Sequence, residues 1–572
     1  MKAQRPGLAL FAACLFSGLA SAIIPPGLSQ QYLSSQKDGH RGGVASETRE
    51  CSEIGRDILA QGGNAVDALV GTTFCVGVIG MYHSGIGGGG FMLVRDTDGQ
   101  YEAIDFRESA PAAAYEDMYQ GNVDGSVYGG LSAGVPSELA GLEYAHKKYG
   151  SLPWHTVMAG AIHMAKDGFK VSPDLIKYIH LATKNQTNFL VEDPIFAEEF
   201  APNGTMLQLG ETMTRPRYGR TLQLIAEHGS EAFYKGEIAE SIIKTIQDTN
   251  GTMTLEDMAN YKVISRKVAS ASYRGAQLHA VGTPANGAVC LNILKIMEQF
   301  DLEDADDMGL TWHRYDEAQR FAYGARLELG DPSFVAHMSE MEDDMISTAK
   351  AEEIRDLIRD DETMPVDYYD PKRLYTTDSH GTSHISAADA SGMAVSLTTT
   401  VNLLFGAQIM DPLSGVIINN EMNDFSIPGV PNEFGFAPSE ANFIRPHKRP
   451  LSSITPIIAS RSDGTLLAVV GAAGGSRIVS STAQVLWHTI EHNMTLTQAL
   501  AHPRVHDQLL PNVSLIEYAM DNDTVNALRE RGHEIKYTDP VVSSVQGVWR
   551  HDNGMFEAAG EPRQKNSAGL TL

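Results

Sequence analysis

Two threonines give the first chemical signal. The stretch Thr382-Ser383-His384-Ile385-Ser386 reads as a strand, Asp389-Ala390-Ser391-Gly392 as a turn, and Met393 to Val401 as a second strand. A hairpin centred near Ser391 sets Thr382 opposite Thr400, give or take one register step, so two hydroxyls face each other across the ladder. Asn402 and then Asn419-Asn420-Glu421-Met422-Asn423-Asp424-Phe425 lie beyond them. On these residues alone, an ordinary hairpin with a polar loop is the simpler reading. A second signal lies further on. Pro450-Leu451-Ser452-Ser453-Ile454-Thr455-Pro456 leads into an apolar run, a turn at Ser462-Asp463-Gly464 and a strand from Leu466 to Val470. Then Gly471-Ala472-Ala473-Gly474-Gly475-Ser476 opens a helix running from Arg477 to about His492. Strand, small-residue loop and helix start aim backbone N–H groups at an anion. Without a Lys the loop suits an oxyanion better than a phosphate; the alternative is a tight turn that requires glycine.

Gly85-Ile86-Gly87-Gly88-Gly89-Gly90 matches the G-x-G-x-x-G pattern. Dinucleotide binding needs a helix directly after it. Here Phe91-Met92-Leu93-Val94, a turn at Asp98-Gly99 and Tyr101 to Phe106 spell a hairpin of strands. The glycines then mark backbone packed close to something bulky, as in the buried wall of a cleft. Arg107 follows the second strand and precedes Glu108-Ser109-Ala110-Pro111. An Arg at a strand end is commonly a surface ion pair; beside a glycine-rich wall its fork suits a substrate carboxylate.

The positioning elements are partly legible. Ile54, Ile58 and Leu59 have helical spacing in Cys51 to Ala60. Gln61-Gly62-Gly63 ends that helix, and Asn64 caps the next from Ala65. Two antiparallel helices turning near Gly63 bring Cys51 and Cys75 side by side, which predicts a disulfide; the alternative is two buried thiols. Cys290 reads as a core thiol. The middle, roughly 135 to 370, is helical, with periodic stretches at Trp154 to Ala165, Arg220 to Gly229, Ile238 to Thr249 and Trp312 to Leu329. No H-E-x-x-H, paired C-x-x-C or P-loop string occurs, so neither a metal nor a cofactor is expected.

Composition narrows the classes. Lys plus Arg is 44 against 71 Asp plus Glu, a formal charge of −27, which opposes nucleic-acid binding and docking on anionic lipid. Lys2 and Arg5, the apolar stretch Gly7 to Leu19 and Ala20-Ser21-Ala22 read as a signal peptide over 1–22; an uncleaved anchor is the alternative. Sequons begin at Asn185, Asn203, Asn250, Asn493, Asn512 and Asn522. Behind a signal, they point to a glycosylated protein of a secretory route, either secreted or at the cell surface or vacuole.

Together these strings resemble the γ-glutamyltranspeptidase (glutathione hydrolase) family, in its eukaryotic form. The resemblance is carried by Gly381-Thr382-Ser383-His384-Ile385-Ser386, Thr400-Val401-Asn402-Leu403-Leu404-Phe405-Gly406, Asn419 to Phe425, Pro450 to Ser453 and Gly471 to Gly475. Upstream, Cys51 to Ala68, Gly85 to Gly90 and Arg107 to Pro111 recur in family order; downstream, so does Pro503 to Asn512. The resemblance implies an α/β N-terminal-nucleophile hydrolase with a four-layer αββα core. It implies self-cleavage at Gly381–Thr382 into a large chain, 23–381, and a small chain, 382–572, which pair in one domain. Thr382 is then the nucleophile, its new α-amine the base, and Thr400 the group that orients it. A Thr hydroxyl needs such a base, and an α-amine of pKa about 7.7–8.0 serves near neutrality.

The same matching implies the pocket. Arg107, helped by Ser452 and Ser453, takes the α-carboxylate of a γ-glutamyl group. Glu421, Asp424 and Asn402 take its ammonium from an opposite wall, and Gly474 and Gly475 N–H groups take the oxyanion. The implied substrates are glutathione and other γ-glutamyl compounds, with water, amino acids or dipeptides as acceptors. Leu404 stands where animal members carry Tyr, and Asn423 where many carry a second Asp. The stretch Asn432-Glu433-Phe434-Gly435 to Pro446 resembles the eukaryotic loop, without a bacterial-type lid. Two rival readings are an amidase or acylase of the same fold acting on another amide, and a non-catalytic secreted binding protein. The joint presence of Arg107, Glu421 and Asp424 opposes the first; intact Thr382 and Thr400 oppose the second.

Overall fold

The computed structural model describes residues 39–184, 186–301, 307–376, 381–430, 435, 437–539 and 543–572. The signal segment, the sequon at Asn185, the polar turn Thr377 to His380 and the loop residues Asn432 to Phe434 lie outside the described residues.

Two antiparallel sheets lie face to face. The first contains β1 (Gly42–Ser46), β2 (Gly89–Arg95), β3 (Tyr101–Phe106), β4 (Ile264–Arg266), β7 (Gly381–Asp389), β8 (Ala394–Asn402) and β13 (Ala568–Thr571), in the order β13-β1-β7-β8-β2-β3-β4. The second contains β5 (Val268–Tyr273), β6 (Ala276–Val281), β9 (Ile457–Ser460), β10 (Leu466–Ala473), β11 (Ser544–Arg550) and β12 (Phe556–Ala559), in the order β12-β11-β10-β9-β6-β5. Strands buried on both faces feed two cores with alternate residues. Met92 and Val94 join the apolar cluster under helices α1 (Arg49–Ala60) and α2 (Ala65–Ile79). Phe91 and Leu93 join the cluster between the sheets, which continues beneath α3 (Gly287–Met297), α4 (Met308–Arg326) and α5 (Arg477–Ile490). The result is the expected helix–sheet–sheet–helix stack.

The helical hairpin forms as its sequence predicts. Asn64 accepts from the Asp67 N–H and Asp67 accepts from the Asn64 N–H, a reciprocal capping box. α2 is buried all round, which suits its nearly uniform apolar sequence. Cys51 and Cys75 form a disulfide with Cα atoms 5.3 Å apart, and Cys290 is a buried thiol. The bond spans 24 residues. Replacing both cysteines by Ala is expected to cost about 3 kcal/mol, the loop-closure entropy of a ring this size. Denaturant unfolding of the double variant beside the unmodified protein checks this, and an unchanged midpoint would overturn it.

A second tie joins α4 to the last quarter of the chain. His533 Nδ1 lies 2.8 Å from Asp316, and His533 Nε2 lies 2.7 Å from His313 Nδ1. His313 Nε2 is 2.7 Å from the Arg359 carbonyl, Arg320 donates to Asp507, and the Ser514 hydroxyl donates to Asp316. Burial opposes charge on His533, but Asp316, Glu317 and Asp507 outweigh it and raise its pKa. His313 is driven down to about 4, chiefly by burial. His533 is therefore the charged ring and His313 the neutral one. A raised His contributes its stability fully below its unfolded pKa of about 6.5, and loses it as pH climbs through the folded value. His533→Phe removes the charged partner of the buried Asp316 and is expected to cost about 3–5 kcal/mol. Thermal unfolding across pH should show that deficit largest below pH about 6.5 and narrowing on alkalinisation; a deficit that grows with pH would refute the assignment.

Candidate active site

The two threonines meet as the hairpin reading predicts, with one local change. β7 and β8 pair Ser383 with Thr399 and His384 with Thr398, the predicted register. The register then shifts, so that Gly381 pairs with Asn402 and the single residue Thr382 faces Thr400 and Val401. The bulge has a visible consequence. The Thr400 hydroxyl donates to the Gly381 carbonyl and accepts from the Asn402 N–H at 2.7 Å. Thr382 and Thr400 are both buried. Asn402 sits at φ +73, a backbone state that Asn tolerates better than most residues. The glycine run supports this strand from the side. A Cβ on Gly88 would fall 1.9 Å from the Thr400 carbonyl oxygen, and one on Gly90 would fall 2.2 Å from that of Thr398. Close backbone approach, not phosphate binding, is why these residues are glycine.

Arg107 is not a surface residue: its side chain is 1% exposed. Its guanidinium lies 2.6 Å from Glu421 Oε1 and also contacts Asp424 Oδ2. The expected separate walls of opposite charge are therefore a correction. Arg107, Glu421 and Asp424 touch one another, because the loop after β3 and the one-turn helix Glu421–Asp424 pack together. A γ-glutamyl group bears its carboxylate and ammonium on one carbon, so adjacent cation and anions still suit it. Asn402 donates to the Asn420 carbonyl at 2.9 Å, and its Oδ1 is buried with no hydrogen-bond partner among the described residues. Glu421 Oε2 is in the same condition.

Glu108 is a site residue that sequence reasoning passed over. It is fully buried, and neither carboxyl oxygen has a hydrogen-bond partner among the described residues. Burial, only partly offset by Arg107, pushes its pKa up to about 8. Burial pushes Glu421 well up too, against the pull of Arg107. Burial thus opposes negative charge on Glu108 and Glu421, while the Arg107 guanidinium favours it. The only sequence signal for Glu108 was its place next to Arg107.

The anion loop is shorter than its sequence suggests. β10 runs through Ala473, so Gly471 to Ala473 belong to the strand. Gly471 is there because a Cβ would sit 2.3 Å from the His384 ring across the sheet interface. The turn itself is Gly474 and Gly475, at φ +123 and +64, and α5 starts at Arg477. Successive backbone N–H groups in such a turn form an anion-binding concavity. Ser452 and Ser453 are buried in the segment ahead of β9. Leu404 packs, partly buried, against the core under α1 and α2, and Asn423 Nδ2 donates to Ser126 at 2.8 Å. Five sequon asparagines, Asn203, Asn250, Asn493, Asn512 and Asn522, are exposed. Among the described residues no helix is long and apolar enough to cross a membrane.

Facing sheets between helical layers, with a threonine at the start of a central strand, define an N-terminal-nucleophile hydrolase fold. A cephalosporin acylase from Bacillus halodurans matches with a TM-score of 0.81 at 25% identity, covering 98% of this chain and 99% of that one. The family model described as Gamma-glutamyltranspeptidase matches residues 51–571, and the chain belongs to that family of enzymes. A glutathione hydrolase proenzyme of Arthroderma benhamiae is 48% identical over 95% of both chains. A glutathione hydrolase of Aspergillus flavus is 45% identical over 94% of this chain and 90% of its own. Helicobacter pylori γ-glutamyltranspeptidase is 34% identical with a TM-score of 0.52, covering 55% of this chain and 91% of that one.

Proposed function

We propose that this protein hydrolyses glutathione and related γ-glutamyl compounds, and transfers the γ-glutamyl group to amino acids or dipeptides. The intermediate is an ester on Thr382. The observation that carries this reading is the Arg107–Glu421–Asp424 contact, a buried cation between two anions. An acyl group without an amino-acid head has no use for it.

The chain first cuts itself. The Thr382 hydroxyl attacks the Gly381 carbonyl carbon, and the Thr400 hydroxyl supports the developing oxyanion. The C–N bond breaks, nitrogen takes the proton, and an ester replaces the amide. Water then hydrolyses that ester, which leaves a Gly381 carboxylate and a free Thr382 amine. In turnover that amine takes the Thr382 hydroxyl proton as oxygen attacks the γ-carbonyl. Gly474 and Gly475 N–H groups receive the oxyanion, and the proton passes to the departing peptide amine. Arg107, Ser452 and Ser453 hold the α-carboxylate; Asn402, Glu421 and Asp424 hold the ammonium. Exposure of five sequon asparagines supports passage through a secretory route.

Rapid quenching with glutathione, followed by peptide mass analysis, tests this. The Thr382 peptide should gain one γ-glutamyl group while cysteinylglycine is released. A turning-over enzyme with the label on another residue would overturn it. The acylase rival draws on the Bacillus halodurans similarity, and the substrate comparison in the Discussion separates the two.

A further inference from the structure

We propose that Arg326 is a positioning residue that makes Ser453 a hydrogen-bond donor to the substrate's α-carboxylate. This rests on the γ-glutamyl reading above. Arg326 is the last residue of α4 and is buried. Its Nη2 donates to Ser453 Oγ at 3.1 Å, and its Nη1 donates to Thr376 Oγ1 at 2.5 Å. A serine hydroxyl has one hydrogen and two acceptor positions. A guanidinium can only donate, so its contact occupies the oxygen side of Ser453 and turns the hydroxyl hydrogen away from the cation. Ser452 is prepared in the same way by another donor: the Ile454 N–H reaches Ser452 Oγ at 3.2 Å. Both hydroxyls therefore present hydrogens, as a carboxylate requires.

The charge balance explains why a second cation is useful. The Arg107 charge is already met by Glu421 and Asp424. Arg326 places another positive charge one hydroxyl away from the carboxylate, where burial weakens screening. α4 also braces the anion loop from the same end. Tyr323, three residues earlier and on the same face, donates to the Ser476 carbonyl directly after Gly475. One helix end thus sets the carboxylate donor and the anion loop together. The Thr376 contact extends this to the segment five residues ahead of Gly381 in the sequence.

The test compares Arg326→Lys, Arg326→Gln, Ser453→Ala and the Arg326→Gln/Ser453→Ala pair. Each is assayed on a γ-glutamyl anilide and on its des-carboxy analogue, a 4-aminobutyryl anilide. Arg326→Gln should lose roughly 10- to 100-fold in kcat/KM on the γ-glutamyl anilide, the size of a lost charge-assisted contact, mostly through KM. On the analogue it should change by less than about 3-fold, within ordinary context variation. In the Ser453→Ala background it should add little. Arg326→Lys should fall between, since a point charge reaches the hydroxyl without the fork. Should Arg326→Gln stay a single uncut chain, Arg326→Lys and Ser453→Ala carry the comparison. Equal losses on both substrates, or additive losses in the double variant, would overturn the proposal; so would a loss confined to free-carboxylate dipeptide acceptors over their amides. Wild-type enzyme that cannot tell the two anilides apart would instead overturn the γ-glutamyl reading beneath it.

Discussion

Thr382→Ala is expected to run as one uncut chain on a denaturing gel, without measurable activity on any γ-glutamyl substrate. Both losses have one cause. On the proposed mechanism the hydroxyl attacks the Gly381 carbonyl and later the substrate, and the amine that serves as base exists only after the first attack. Thr382→Ser keeps an oxygen at the same place and should still yield two chains, the smaller beginning at residue 382. Thr400→Ala removes the donor seen on the Gly381 carbonyl. Loss of one oxyanion donor costs about 2.7–4 kcal/mol, so self-cleavage should slow by about 10²–10³-fold without being abolished. Timed gels after synthesis, with N-terminal sequencing of the smaller band, check all three. A Thr382→Ala protein that is cut at the same bond would remove Thr382 from the processing step.

Arg107→Lys should cut kcat/KM for a γ-glutamyl anilide by roughly 10- to 150-fold, equivalent to about 1.5–3 kcal/mol. Charge is conserved in this change, so a purely Coulombic role predicts little effect. The guanidinium, however, reaches Glu421 and Asp424 through separate nitrogens. An ammonium on a flexible stem cannot hold that geometry. Self-cleavage at Thr382 should proceed, because it involves no substrate carboxylate. The 4-aminobutyryl anilide keeps the amine and chain length but lacks the carboxylate. Wild type should process it poorly, and Arg107→Lys should add little further harm. Equal turnover of both anilides by wild type would mean that Arg107 reads no carboxylate, and would favour the acylase rival.

Much of this site is legible in the amino-acid sequence. The turn around Ser391 sets the β7–β8 register, because a tight hairpin leaves few ways to pair its strands. The α1–α2 hairpin and its disulfide follow from an apolar period, a glycine stop and an Asn cap, all interactions within a few residues. The glycine run after Ser84 declares itself a packed wall because strands follow it. The family strings then point to Arg107, Glu421, Asp424 and the Gly474–Gly475 turn. The tertiary structure decides what no local pattern encodes. Arg107 and Glu421 stand 314 residues apart in number yet 2.6 Å apart in space, so they form one cluster and not two walls. The burial of Glu108, and with it its raised pKa, depends on packing from several loops at once. The bulge that gives Thr400 to the Gly381 carbonyl, and the reach of Arg326 to Ser453, come from how sheets and helices settle against one another. Capping, turns and periodicity act over a few residues and are written in short strings. Contacts between distant segments follow from the summed packing of the whole chain, and no single string records that sum.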